Sequence, residues 1–345
     1  MQAVQIHRHG GGEQLCYEEC AEPELKSPSD AIIKLKAAAL NQFDIRTRRG
    51  LSAVEAPLPH ILGSDGAGIV VELGNEARNI NTGDAVCLFP AMGCGRCEFC
   101  VTDRETSCGQ SRILGERENG TYAEYIRGPA RNCFPIPAGL SFEEAAAFPL
   151  VFVTAWRMLH TNAKLRPGEW ILIRGIGGGV ATAALRLALN LGAHVIVTSR
   201  SDEKLTMAQA LGAEHGINSD KGDFAEQVRQ LTGKRGVDVV VDCVGGESWA
   251  KSLAALARGG RLVTCGACAG SEPKTNLQRI FWNHLKVFGS SLGSRQEFHQ
   301  VLKFFAVTRA KPVLDIIYPL RDAAKAQQRL EAGQQFGKIV LRMDD

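Results

Sequence analysis

Four cysteines, Cys94, Cys97, Cys100 and Cys108, fall within fifteen residues of this chain, separated by two, two and seven residues. Thiolates that close together in one loop can surround a tetrahedral ion, and zinc is the usual occupant of such a set. With sulfur at all four corners no coordination position is left for water or substrate. The expected ion is therefore one structural zinc per chain. A ferredoxin-like iron–sulfur run would have three residues before its fourth cysteine and a proline after it; here seven intervene and Gly109 follows. A disulfide scaffold does not suit so long a chain in which no secretory segment is read at Met1.

A second stretch could hold a phosphate-bearing cofactor. The apolar run Trp170-Ile-Leu-Ile-Arg174 is followed directly by Gly175-Ile-Gly177-Gly178-Gly179-Val180-Ala181 and then by a run with Ala184, Leu185, Leu187, Ala188 and Leu191 on one face. Strand, glycine turn and helix in that order let backbone approach a pyrophosphate while the helix N-terminus faces its charge. The residues expected to cradle a dinucleotide are Gly175, Gly177, Gly178, Gly179 and Val180. At the end of the next strand, where an acid would bond the ribose 2′-hydroxyl and repel a 2′-phosphate, the chain has Ser199 and Arg200, with Lys204 a turn further on. A hydroxyl and a guanidinium suit a phosphate, so NADP(H) is expected over NAD(H). Val244 and Gly266 end strands on the side where open α/β sheets bind ligands, and backbone contacts are expected there. Cys265 and Cys268 form a Cys-x-x-Cys, but within a run of small residues they are read as packing.

The elements that must position these groups follow from pattern. The 345 residues suggest two domains, and 45% apolar residues are enough for real cores. From the N-terminus to about residue 149 the chain shows short strands broken by Gly, Pro and Asn, among them 31–40, 68–73 and 84–89. A helix is expected over 145–159. Strands are then expected at 170–174, 194–198, 237–241, 261–265 and 286–289, alternating with helices at 181–191, 202–211, 223–231 and 247–257, which implies βαβ units and a parallel sheet. The tail adds helices at 295–307 and 322–332 and a strand at 337–341 returning to the first domain. No apolar run reaches membrane-spanning length. A formal charge of +3 is too small and dispersed to argue for nucleic acid. The cytoplasm is the expected compartment, and eleven cysteines fit its reducing conditions.

Together the motifs resemble those of the medium-chain dehydrogenase/reductase superfamily, and the resemblance covers nearly the whole chain. Its carriers are Asn41-Gln-Phe-Asp-Ile-Arg-Thr-Arg-Arg-Gly50, Leu62-Gly-Ser-Asp-Gly-Ala-Gly68, Gly83-Asp-Ala-Val86, the cysteine loop, Gly120-Thr-Tyr-Ala-Glu-Tyr125, the glycine turn, Val244-Gly-Gly246 and Gly337-Lys-Ile-Val-Leu341. The resemblance implies an α/β chain with a chaperonin-10-like β catalytic domain (1–149 and 290–345) interrupted by a doubly wound Rossmann coenzyme domain (150–289). It implies a small-molecule substrate and a homodimer, or a tetramer, joined through edge strands of the Rossmann sheets. It also implies that Thr154 lies by the nicotinamide and Lys338 near the pyrophosphate.

The departures from that family decide the expected chemistry. Its zinc alcohol dehydrogenases carry cysteine at Asn41, His-Glu at Ser64-Asp65 and a third metal ligand near Leu150; Phe43 and Arg46 replace their proton relay. A catalytic zinc is therefore not expected, whereas the asparagine at position 41 resembles that of the zinc-free quinone oxidoreductases. Without a Lewis acid, hydride transfer suits an acceptor that is already electrophilic, such as an enone, an enoyl thioester or a quinone. Asn41 is expected to donate a hydrogen bond near the substrate oxygen or nicotinamide ribose, Asp44 and Asp65 to orient it, and Phe43, Phe152 and Trp282 to line a pocket shaped by loops 48–59 and 113–121. Two alternatives stay open: a zinc-containing alcohol dehydrogenase with an atypical site drawn from Asp44, His60 or Asp65, and a non-catalytic NADPH-binding protein.

Overall fold

The ten-residue strand Asp30–Ala39 is buried along almost its whole length, which a strand manages only with neighbours on both edges and cover on both faces. It pairs antiparallel with Asp65–Leu73, Tyr125–Pro129 and Lys338–Arg342 inside a seven-stranded sheet. The computed structural model describes residues 1–51 and 56–344. The chain divides into two units, Met1–Leu150 with Ser294–Asp345, and Val151–Gly293. In the first, Ile33, Leu35, Val70, Val86, Ile126 and Leu341 belong to one core. The rings of Phe89, Phe134 and Phe148 pack on Phe298 and so fix the helix Arg295–Thr308 in the same unit.

Register explains what this sheet brings together. Ala39 pairs with Asp65 on one side and Val340 on the other. Asn41 lies two residues beyond Ala39 and Lys338 two before Val340, so in an antiparallel pair they stand opposite one another. Asn41 then starts the helix Gln42–Arg48, with its own N–H bonded to Asp44 Oδ2 at 2.8 Å. That helix is held by Arg48, which is fully buried and donates to Gln327 and Glu331 of the helix Ala323–Glu331.

The second unit is a six-stranded, wholly parallel sheet in the order His215–Asn218, His194–Ser199, Trp170–Ile173, Val237–Asp242, Leu256–Thr264, Lys286–Gly289. Its direction of winding reverses between Trp170–Ile173 and Val237–Asp242, and ligands of such sheets bind outside the strand ends at that switch point. The two units are a GroES-like β domain and a Rossmann domain, the α/β architecture expected.

The details correct several expectations. The helix expected over 145–159 is two, Phe142–Ala147 and Pro149–Trp156, followed by a π-helical turn at Arg157–Asn162; Pro149 has no N–H to continue the first and is favoured at the start of a second. The helix expected over 247–257 stops at Ala255, and the following strand begins at once, with Gly259 at φ +76° where its register jumps. The edge strand His215–Asn218 and the helices Gln42–Arg48 and Leu277–Trp282 are additional.

Candidate active site

Asn41, Asp44, Asp65, Tyr122 and Lys338 form one buried hydrogen-bonded cluster in the first unit. The Lys338 ammonium donates to Leu40 O at 2.7 Å, Asn41 Oδ1 at 2.6 Å and Asp65 Oδ2 at 3.1 Å, which uses all three of its N–H bonds. Asn41 Nδ2 donates to Asp65 Oδ2 at 2.9 Å, and Leu150 N donates to Asp65 Oδ1 at 2.9 Å. Asp65 has no exposed surface, so its charge is balanced from within by the lysine. Only one N–H of the Asn41 amide is spoken for among the described residues.

Asp44 is the other half of the cluster. Its Oδ2 accepts from Asn41 N and from the Tyr122 hydroxyl at 2.9 Å, and Ser64 Oγ lies 3.4 Å from Oδ1. Burial pushes its carboxyl up to about 6 despite these donors. Burial and the neighbouring carboxylate push the Tyr122 phenol well above its ordinary range. A carboxyl raised in the folded chain binds protons that the unfolded chain has already released. The stability it contributes is present below pH 3.8 and lost as pH rises through about 6. By linkage this amounts to roughly 3 kcal/mol. We expect the stability of Asp44→Asn relative to the parent to rise by that order between pH 4 and pH 7, as read by urea unfolding at both pH values. A constant difference would show that Asp44 ionises normally.

This cluster does not fit a catalytic zinc. The positions that carry ligands in zinc alcohol dehydrogenases hold an amide whose oxygen accepts from an ammonium, a hydroxyl beside Asp44, and Leu150. A divalent ion would have to sit beside the buried Lys338 charge. The atypical set is not assembled either: His60 Nε2 is bonded to Gly115 O at 2.9 Å, and burial holds its imidazole below its ordinary pKa. Among the described residues the cysteine set alone gathers three or more metal-ligand groups. Of the other residues expected around the substrate, Phe152 is buried, Phe43 is half-buried, and Arg46 and Trp282 are exposed. In loop 48–59, residues 52–55 lie outside the described residues.

The cysteine loop does fit its ion. The ligand sulfurs of Cys94, Cys97, Cys100 and Cys108 all lie within 4.8 Å of one another, with Cys94 and Cys100 3.9 Å apart. A zinc–sulfur length of about 2.3 Å implies edges near 3.8 Å in a tetrahedron. Backbone N–H groups of Arg96 and Cys97 point at the Cys94 sulfur and hold its thiol down to about 6, whereas burial raises Cys100 to about 12. Glu105 ties the loop to the helix behind it, accepting from Arg295 N at 2.6 Å.

In the second unit, Gly175 and Gly177 adopt φ +69° and +109°, which only glycine takes without strain, and Gly178 caps the helix that begins Gly179-Val180. A Cβ on Gly175 would come 3.1 Å from Val244, so the turn and the Val244 loop are in close contact. The turn fits a pyrophosphate: backbone is bare of side chains at a helix N-terminus. Ser199 is buried at its strand end, its Oγ accepting from Ser201 N at 3.1 Å. Arg200 is exposed, and the backbone N of Lys204 bonds the Ser201 cap. Thr154 is buried on the helix Pro149–Trp156, and Gly266 O accepts from Thr264. The ammonium of Lys338, expected near the pyrophosphate, bonds Leu40, Asn41 and Asp65 of the first unit.

Two supports escaped sequence reading. Asp242 Oδ1 accepts from Val244 N and Gly245 N, and its Oδ2 from Ser252 Oγ. Buried Arg174 donates to Thr198, Ser252 and Ser248 and stacks on Phe224. They bind three strand ends beneath the glycine turn. An acid closing the apolar run 237–241, just ahead of Gly245-Gly246, was the available signal.

A GroES-like unit bearing a cysteine loop and a Rossmann unit bearing this turn define a nicotinamide-dependent dehydrogenase or reductase. Known proteins agree. Residues 27–138 match the alcohol dehydrogenase GroES-like domain and residues 179–307 the zinc-binding dehydrogenase domain. A zinc-type alcohol dehydrogenase-like protein of Schizosaccharomyces pombe is 33% identical, over 97% of this chain and 96% of its own. An alcohol dehydrogenase of Geobacillus stearothermophilus is 32% identical, over 95% and 96%. The crystal structure of an NAD-dependent alcohol dehydrogenase superposes with a TM-score of 0.96 at 40% identity, covering 100% of both chains. The chain belongs to the zinc-type alcohol dehydrogenase-like medium-chain dehydrogenases/reductases and is an NAD(P)-dependent oxidoreductase. The names of these relatives favour an alcohol dehydrogenase over the enone or quinone reductase expected from the sequence. No helix among the described residues is long and apolar enough to cross a membrane.

Proposed function

We propose that this enzyme transfers hydride from NADPH to an electron-poor double bond, in an enone, an enoyl thioester or a quinone, with an amide in place of a catalytic metal. The observation that carries the reading is the Lys338 ammonium, 2.6 Å from Asn41 Oδ1. A cation on the amide oxygen polarises the amide and strengthens its N–H as a donor. The N–H not given to Asp65 is then suited to the oxygen on which negative charge develops. Bound NADPH supplies the hydride. Asp65 and Lys338 hold the amide in place, Asp44 fixes the backbone at Asn41, and solvent or the ribose supplies the proton. Ser199 and Arg200 support NADPH through the 2′-phosphate, with Lys204 near; Thr154, Val244 and Gly266 are the remaining proposed contacts. One zinc in the cysteine loop is structural.

The second reading is alcohol–carbonyl interconversion with NAD, and the names of the relatives favour it. Elemental analysis of the purified chain, joined to an acceptor panel, separates the two. We expect one zinc per chain, turnover of NADPH with enones or quinones that survives mild chelation, and kcat/KM for NADPH above that for NADH by about tenfold or more. Two zinc ions with alcohol-dependent reduction of NAD would establish the second reading. Tight NADPH binding with no turnover would leave a binding protein.

We also propose a homodimer through the sheet edge Lys286–Gly289. Leu277, Phe281 and Trp282 are 63–70% exposed and Val287 41% exposed at that edge strand, whose pairing within its sheet is on one side only, and such edges and apolar surfaces invite a partner. Val287→Glu with Trp282→Glu is expected to give monomers in sedimentation velocity; an unchanged dimer would place the interface elsewhere.

A further inference from the structure

The sequence draws attention to Cys265 and Cys268, but the sulfurs that meet are those of Cys243 and Cys265, 3.4 Å apart. Register is the cause. Asp242 and Thr264 are partners in adjacent parallel strands, and each is followed by a cysteine where its strand ends. Neighbouring strands lie about 4.8 Å apart, within the Cα separation of about 4.4–6.8 Å that a disulfide accepts.

We propose that Cys243 and Cys265 are an oxidant-sensitive thiol pair, which a hydroperoxide converts to a disulfide that disables the dinucleotide site. Cys265 is half-buried, so a small reagent has access to it. The hydrogen bond with Cys265, together with burial, raises the Cys243 thiol well above its ordinary range. Cys243 therefore keeps its proton, and Cys265 reacts first. The Cys265 thiolate attacks the terminal peroxide oxygen and the O–O bond breaks. The alkoxide leaves and is protonated to an alcohol, or to water from hydrogen peroxide, and Cys265 becomes a sulfenic acid. The Cys243 sulfur then attacks that sulfur. The departing hydroxide takes the Cys243 proton and leaves as water. Two thiols lose two electrons and two hydrogens to one peroxide; a dithiol reverses the bond by exchange.

The consequence for binding comes from what surrounds the pair. The S–S distance must shorten from 3.4 Å to about 2.05 Å, and the two loops are bonded to each other and closely packed beside it. Ala269 N bonds Val244 O at 2.8 Å and Gly246 N bonds Gly270 O at 3.0 Å. A Cβ on Gly245 would come 2.7 Å from Gly270 O. Val244, next to Cys243, lies against Gly175 of the cofactor turn, and Gly266 follows Cys265. Closing the bond displaces one or both. The inference rests on the dinucleotide contacts proposed above but not on the choice of substrate.

The test uses the full-length, zinc-loaded protein with hydrogen peroxide. After alkylation and digestion, mass spectrometry is expected to find a Cys243–Cys265 cross-linked peptide, and titration with NADPH and NADH to show affinity falling by about tenfold or more. Dithiothreitol should restore both. Cys243→Ser and Cys265→Ser should abolish the response and Cys268→Ser keep it. A zinc-release dye read in parallel separates damage at the cysteine loop. A Cys265–Cys268 bond instead, oxidation confined to the zinc loop, or a Cys243–Cys265 bond with unchanged dinucleotide affinity would each overturn the proposal. Because the readout is dinucleotide binding, failure of the enone and quinone reading leaves the result interpretable.

Discussion

Lys338→Met is expected to lower kcat by about two orders of magnitude and to destabilise the fold by about 3–5 kcal/mol. Both effects follow from the ammonium's position. Its three N–H bonds go to Leu40 O, Asn41 Oδ1 and Asp65 Oδ2, and Asp65 has no access to water. Methionine fills similar space but leaves a buried carboxylate without its counter-charge and an amide oxygen without its donor. The two effects are separable. In Lys338→Met with Asp65→Asn both members of the buried ion pair are neutral and neither charge is left without its partner, so most of the stability should return, while the unpolarised Asn41 amide keeps turnover low. Urea unfolding and steady-state kinetics on the two variants test this. If Lys338 instead reached the cofactor's pyrophosphate, as its place in the terminal motif suggested, the single variant would raise the dissociation constant for NADPH and spare kcat. Wild-type kcat in Lys338→Met would remove the lysine from the reaction.

What could be read in the sequence was what lies close along the chain. The cysteine loop spans fifteen residues and the glycine turn seven, from Gly175 to Ala181, so spacing alone carried their geometry. Asn41 and Asp44 also have the spacing of a capping box, but they were read for chemistry and not for local structure, and the helix Gln42–Arg48 was missed. Lys338 could be placed on a closing strand, but its partners lie 273 and 297 residues away. They follow only from the pairing of Val340 with Ala39 and of Ala39 with Asp65. The same limit hid the meeting of Cys243 with Cys265, which short spacing disguised as a Cys265–Cys268 pair. The strand Leu256–Thr264 was read too short because its Arg-Gly-Gly interruption resembles a loop, whereas Leu256 already pairs with Val237 ahead of it and pairing on both edges resumes at Arg261.

Asn41→Ala is expected to reduce kcat by about 10²–10³ while the dissociation constant for NADPH changes by no more than about twofold. The side chain does three things: it accepts from Lys338, donates to Asp65, and offers its other N–H. The helix keeps its start, because the bond to Asp44 Oδ2 comes from the Asn41 backbone. The loss should therefore fall on the transition state and not on cofactor binding, which stopped-flow binding and steady-state rates can separate. Asn41→Asp is expected to be no better than alanine: it keeps an acceptor for Lys338 but has no N–H and sets a second carboxylate beside Asp65. The decisive measurement is the double variant. If Lys338 acts on the substrate only by polarising Asn41, then once the amide is gone the ammonium has nothing left to polarise. Asn41→Ala with Lys338→Met should then be as slow as Asn41→Ala alone, the two losses failing to add. Losses that multiply would mean that lysine and asparagine reach the reacting atoms by separate routes, and the amide would no longer account for the chemistry alone.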